Sequence, residues 1–438
     1  PAPYASPAAY YSPTAGRMES IEVRKGSTQI KHGPFTTGGS LNYLSTSIPT
    51  SKLNSVSLDI GSFGKTLMQV RSGDSMGKFA YLIELYSDKM DGFKELDGGG
   101  DTGYTKTDFM TKLRYSFSES HAFEFKYSMT DELSDETYLG LTDADYSDNP
   151  LRRYRATALD EMDADHSQVM LSYAAKLNDS MSLAIVGYSN DFARNWYKLN
   201  KVNGMSLSSI TKPTADGWNE FYMLMNAQNS ADDAYRIKAN NREYYSSGIQ
   251  AVLNVNVGTH DIQAGLRIHS DEMDRFQWED RYGMQNGKLV MTTQATKGSD
   301  SNRIDSAEAT ALFVEDRFTT GDMTVTAGAR YEEITVMRDD WGKTDPDRSE
   351  APSQRKHTMD VIVPGIGVEY AINEFQTVSV GVHKGFAPPG PGTSGVTDKA
   401  VDPETSMNTE IGFKSNQGLN SLEFTLFMNS YDNLLGAD

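Results

Sequence analysis

Apolar and polar residues alternate with a period of two, segment after segment, from about residue 54 to the last residue. Phe123, Phe125, Tyr127 and Met129 fall on one side, while Glu124, Lys126 and Ser128 fall on the other. Val169, Leu171, Tyr173 and Ala175 repeat the pattern, as do Ile262, Ala264, Leu266 and Ile268, and then Leu422, Phe424, Leu426 and Met428. This period places alternate side chains on opposite faces of a sheet. Strands of soluble sandwiches usually run about 5–6 residues. The segments 180–198, 241–256 and 322–338 stay strand-like for far longer. Strands that cross a bilayer at a tilt need about 9–11 residues and can project beyond it, so length favours a barrel.

The connections sharpen this reading. Strands are expected at 54–62, 65–72, 77–90, 105–117, 121–132, 164–176, 180–198, 241–256, 259–273, 305–319, 322–338, 356–372, 375–385, 404–415 and 420–433. Tight turns at 73–76, 118–120, 177–179, 257–258, 320–321, 373–374 and 416–419 alternate with long polar stretches at 91–104, 133–163, 199–240, 274–304, 339–355 and 386–403. One long-series link, 63–64, is short. Alternating short and long connections mark an up-and-down transmembrane barrel; a Greek-key sandwich does not sort its loops this way. The expected fold is an all-β, antiparallel transmembrane β-barrel of roughly 15 strands. Closed bacterial barrels use even numbers, about 22 in plugged transporters, so the barrel is expected to be incomplete at its C-terminal end.

Mean hydropathy of −0.54 is neutral evidence, because only alternate barrel residues face lipid. No run of about 18 apolar residues marks a membrane helix. Cys 0 excludes disulfides and thiolate chemistry. A formal charge of −19 with no basic stripe argues against nucleic acid. No signal peptide is legible in 1–11, and the chain reads as a fragment.

Residues 18–49 read as a short strand from Ile21 to Arg24, a turn at Lys25 to Ser27, a brief helical or irregular stretch, and Gly38-Gly39 leading into a strand from Ser40 to Thr46. The pattern I-E-V-x-K/R-G, then Gly-Gly and an alternating strand ending near Pro49, resembles the end of the plug domain of TonB-dependent receptors. His383-Lys384-Gly385-Phe386-Ala387-Pro388-Pro389 and Pro403-Glu404-Thr405-Ser406 with Asn408, Glu410 and Gly412 resemble the barrel of the same family. Glu136 to Asp143, with Asn149-Pro150 and Arg152-Arg153-Tyr154, resembles a loop of its ferric-citrate branch. The resemblance implies residues 1–49 as the C-terminal part of a plug and 50–438 as barrel. It implies a monomeric receptor in the outer membrane of a Gram-negative bacterium, surrounded by lipid. Such a receptor binds a ferric siderophore or other metal chelate and imports it with energy from TonB, which engages an upstream segment. The substrate could equally be haem or cobalamin. A passive porin or adhesin barrel shares the strand pattern but leaves Ile21–Thr46 unexplained.

Arg152, Arg153 and Arg155 stand in the long segment 133–163. Guanidinium pairs bidentately with carboxylates and stays charged, which would suit an anionic iron chelate. The bland alternative is a solvated loop in which they offset Asp143, Asp145, Asp148 and Asp160. Trp218, Phe221 and Tyr222 lie deep in the next loop and could line a vestibule. Trp196 and Tyr197, read as a strand end, suit an interfacial belt. The seven histidines make no i, i+4 pair and no H-E-x-x-H, so no metal is held directly by protein. His383 precedes a long segment and could touch ligand, though a polar lumen residue is the commoner case. Gly98, Gly100 and Gly103 match G-x-G-x-x-G, but a strand follows where a dinucleotide site needs a helix. No G-x-S-x-G is present, and no enzyme activity or cofactor is expected. The inner wall should be polar, carrying Glu124, Lys126, Thr324, Thr326, Arg330 and Glu332.

Overall fold

The computed structural model describes all residues except 1, 8–9, 25–30, 211–213, 215, 393–401 and 435–438. Seventeen strands follow one another round an antiparallel barrel; two, Met205–Ser206 and Lys288–Thr293, are short hairpin additions in the loops. The remaining strands match, one for one, those read from the alternation. Registered ladders join each to the next, from Leu53–Ile60 to Asn420–Asp432. Among the described residues no registered ladder joins Asn420–Asp432 to Leu53–Ile60, although they are neighbours in the order, and both are exposed along their whole length.

Several strands overrun the sequence reading at their long-loop ends. Alternation places a strand at 259–273, yet the strand runs His260–Gln285; 241–256 becomes Tyr235–Val257, and 180–198 becomes Met181–Val202. The ladder continues there although apolar alternation fades, because backbone pairing does not depend on it.

Register sorts the two walls. Leu266, Leu312, Tyr331 and Ile362 lie directly across from one another on four adjacent strands. Leu266, Leu312 and Ile362 are 39%, 50% and 58% exposed, a continuous apolar outer surface. The opposite parity faces inward: Arg330 and Glu332 pair beneath Gly33, and Glu124 and Lys126 line a cavity with Glu19 and Asn42.

The interior is occupied by the described residues of the segment 2–46. The two expected strands are present as Met18–Arg24 and Ser40–Ser45, and they pair antiparallel as a hairpin, Val23 opposite Leu41. The expected turn at Lys25 to Ser27 falls outside the described residues. Ahead of the hairpin, a stretch with no legible sequence signal makes the deepest contacts. The amides of Tyr4 and Ala5 donate to the Asp271 carboxylate, each at 2.8 Å, and the Tyr4 hydroxyl donates to Glu332 at 2.8 Å. Tyr4 and Ala5 also pack into an apolar cluster with Phe192, Tyr244, Met273 and Phe386. Tyr11 stacks on His166 with ring centroids 3.9 Å apart, and Arg17 pairs with buried Asp108 at 3.1 Å. Downstream, the Thr36 amide donates to the Phe386 carbonyl at 3.0 Å.

A charge on the outer wall near the bilayer midplane costs about 2–4 kcal/mol. Leu312→Lys should therefore lower the urea midpoint of the barrel folded into phospholipid vesicles by a matching amount. An unchanged midpoint would mean that this wall does not face lipid.

Candidate ligand-binding site

The segment 133–163 is a built structure. Asp143–Asp148 is a short helix whose N-cap, Thr142, accepts from the Asp145 amide. Arg152–Arg153 forms a parallel bridge with Glu95–Leu96 from the preceding long loop. Arg152 pairs with Asp97 at 2.9 Å and Asp145 at 2.8 Å and reaches Asn226. Arg153, 6% exposed, donates to the Asp135, Thr157 and Asp160 carbonyls at 2.7–3.0 Å. Arg155 donates to the Gly287 and Gly99 carbonyls, each at 2.8 Å. The three arginines expected to meet an anion thus tie loops together.

Asp145 is the node of this brace, taking hydrogen bonds from Thr142, Tyr154 and Tyr222 as well as Arg152. Burial opposes its ionisation, but those bonds and the guanidinium carry its pKa below the ordinary carboxylate value.

Trp218 and Tyr222, on the helix Trp218–Met225, line a cavity of about 1000 Å³ whose opposite side is formed by Tyr138 to Ala144. Phe221 lines it with them. Trp196 is not a belt residue: it is 8% exposed, its indole donates to the Glu136 carbonyl at 3.1 Å, and Tyr138 packs on it at 4.3 Å. Its strand runs on to Val202, so Trp196 does not mark the strand's end. Tyr197 donates to Asp280 at 2.8 Å. His383 sits elsewhere, on Gln376–Ala387, lining a separate cavity of about 510 Å³ with Thr37, Gly38 and Asn408.

Sequence reasoning missed the most strongly charged part of the interior. Arg194 stands across from Arg242, Arg242 from Arg275, and Arg275 from Arg303, four inward guanidiniums in one row over four adjacent strands. Like charges placed directly opposite each other destabilise a sheet. In the adjoining row Phe192, Tyr244, Met273, Asp305 and Arg338 are cross-strand neighbours in turn. Asp305 pairs with Arg303 at 3.3 Å and accepts hydrogen bonds from Nη2 of Arg338 at 3.0 Å and from its Nε. Among the described residues Arg194, Arg242 and Arg275 make no ion pair. Arg194 is 1% exposed, lies 3.7 Å from the Tyr10 ring centroid, and keeps Nε and Nη2 without hydrogen-bond partners, as does Nε of Arg242. A cavity of about 260 Å³ opens onto Arg242, Arg275, Arg303 and Arg338, walled by Ala5–Pro7 on one side and Gly390–Gly392 on the other. Guanidiniums gathered round a small cavity form a receptor for carboxylate or phosphate oxygens. A signal was available in the chain: Arg242, Arg275 and Arg338 sit equally far from the turn ends of their strands, Val257, His260 and Met323.

The family described as TonB dependent receptor-like, beta-barrel matches residues 92–438. The fold is similar to the ferric citrate transporter FecA in its unliganded form, with TM-score 0.76 and 18% identity over 98% of this chain and 59% of that one. It is similar also to the ferric-catecholate import receptor Fiu from E. coli K12 in its open form, with TM-score 0.72 and 15% identity over 95% and 65% of the two chains. A third likeness is to the siderophore receptor PiuA from Acinetobacter baumannii, with TM-score 0.69 and 13% identity over 94% and 62%. The chain thus spans about three fifths of the length of these proteins.

The loop brace should be pH-sensitive through Asp160. Burial lifts its carboxyl to about 7, against opposing bonds from the Thr137 hydroxyl and the Leu199 amide. A folded pKa above the unfolded one means that the folded loop holds a proton the unfolded chain releases. Its contribution is full below about pH 4 and declines as pH rises to about 7. Hydrogen-exchange protection at the Leu199 amide, corrected for intrinsic rate, should fall by about tenfold or more between pH 5 and pH 8. Asp160→Asn should flatten that dependence.

Proposed function

The chain belongs to the TonB-dependent receptor β-barrel family, and from that premise we propose that its parent protein captures an anionic metal chelate at the arginine row and imports it across a Gram-negative outer membrane. Within that class the reading is a ferric siderophore, and most specifically ferric citrate, a compact polycarboxylate. Residues 1–49 act as the last part of a plug within the barrel of 50–438, and the energy for passage comes through TonB, engaged by an upstream segment. The receptor works as a monomer, carries out no covalent chemistry, and needs no resident cofactor.

One observation carries the reading: the registered row Arg194, Arg242, Arg275 and Arg303, the last three of which line a cavity above residues 5–7. Such a row is costly without a counter-anion, and planar forked donors match carboxylates bidentately. In this reading Arg152, Arg153 and Arg155 hold the outer loops in place, Trp218 and Tyr222 flank the approach, and His383 belongs to the polar lumen. A passive pore would have no use for the Tyr4, Tyr11 and Arg17 contacts that fill its interior.

Calorimetric titration of the full-length receptor in detergent tests the assignment. A hydrogen bond to a charged group is worth about 1.5–3 kcal/mol, so Arg242→Ala or Arg275→Ala should weaken ferric citrate binding by roughly 10–100-fold. Binding should weaken as NaCl rises, and an uncharged ferric hydroxamate should not depend on the row. Ferric citrate affinity unchanged in the Arg242→Ala, Arg275→Ala double variant would sink the proposal.

A further inference from the structure

The outer cavity bounded by Tyr138 to Ala144 and the helix Trp218–Met225 is separate from the arginine row and has a different chemistry. Its volume of about 1000 Å³ lies at the upper end of ordinary small-molecule pockets. Leu139, Leu141, Phe221 and Met225 supply apolar walls, Trp218 a flat aromatic one. The walls are held in place before any ligand arrives, since Tyr154 and Tyr222, both lining residues, are anchored on Asp145.

One charge sits in this apolar enclosure without a counterpart. Lys198 lines the cavity at 6% exposure and makes no ion pair among the described residues. Its ammonium lies 3.0 Å from the Tyr138 ring centroid and 4.3 Å from that of Trp196. Its direct cross-strand neighbour is another cation, Lys238, which is already paired with Asp300. Asp143 also lines the cavity, but it is exposed and does not reach Lys198. A desolvated ammonium without an anion is costly; two ring faces offset part of that cost, and the remainder favours an anionic guest.

We propose that this vestibule is a second ligand site, taking a small molecule with a flat apolar body and one anionic group. The body lies against Trp218, Leu141 and Met225, and the anion meets Lys198. This assignment does not depend on the arginine row and would stand if ferric citrate proved not to be the chelate.

The probe is 2-naphthoate, titrated calorimetrically into the full-length protein in detergent, with the neutral 2-naphthalenemethanol as comparison and empty micelles as blank. One saturable site is expected for the acid, at least tenfold weaker for the alcohol and for Lys198→Met, and unaffected by Arg242→Ala with Arg275→Ala. The proposal is overturned if Lys198→Met binds the acid as well as the parent does, if the alcohol matches the acid, or if only the arginine variant loses binding. Methyl NMR of the unsubstituted protein keeps the test open should Lys198→Met misfold. Contacts from the probe to Leu141 and Met225 support the site, and contacts confined to other methyl groups overturn it.

Discussion

Backbone amides in hydrocarbon must find partners within the protein, and a laterally paired ladder is one of two ways to do so. Here the ladder extends almost without a break in register from Leu53 to Asp432. Because side chains alternate, fixing the register of one pair fixes which wall every residue of both strands joins. The lipid-facing row of Leu266, Leu312, Tyr331 and Ile362 and the inward row of His269, Ala309, Ile334 and Met359 are two products of the same pairing. A slip of one residue would turn Arg330 and Glu332 outward and empty the interior of the groups that hold Tyr4.

The same register brings the arginines into line. Nothing local recommends Arg194, Arg242, Arg275 and Arg303 as a group; they are dispersed over more than a hundred residues and meet only through three successive ladders. Sheet energetics alone would disperse them. Part of the cost is offset by Tyr10 beneath Arg194 and by Asp305 beside Arg303. The interior segment thus both caps the apolar row of Phe192, Tyr244 and Met273 and supports the charged row next to it.

Legibility from sequence followed the environment. Where one face meets lipid and the other the lumen, as at Phe123 to Met129, apolar alternation marked strands and turns closely. Beyond that zone the rule fails: Arg275 and Gln277 still point inward on a continuing strand, but the opposite parity mixes Glu272, Asp274 and Asp280 with Phe276 and Trp278, so the segment read as loop. Residues 2–17 carried no periodicity, because those described are held by contacts with strands far along the chain, as in Tyr4 with Glu332. Trp218 and Tyr222 stood out as aromatics deep in a loop, but the sequence left their role open; the cavity they line depends on Tyr138 to Ala144 from another loop. The loop arginines were not resolved, since Arg152 to Arg155 suit a chelate or a solvated loop equally well, and the brace they form is evident only once Asp97, Asp145 and Gly287 are located.

The bracing at Asp145 limits how the outer rim can move. Through Arg152 it is joined to the stretch around Asp97, through Tyr222 to the helix Trp218–Met225, and through Arg155's grip on Gly287 a fourth excursion of the chain is added. Four excursions fastened near one point have few independent degrees of freedom. They rise or settle as a single cover, pivoting where the strands emerge, so a substitution in any one of them is felt by the other three.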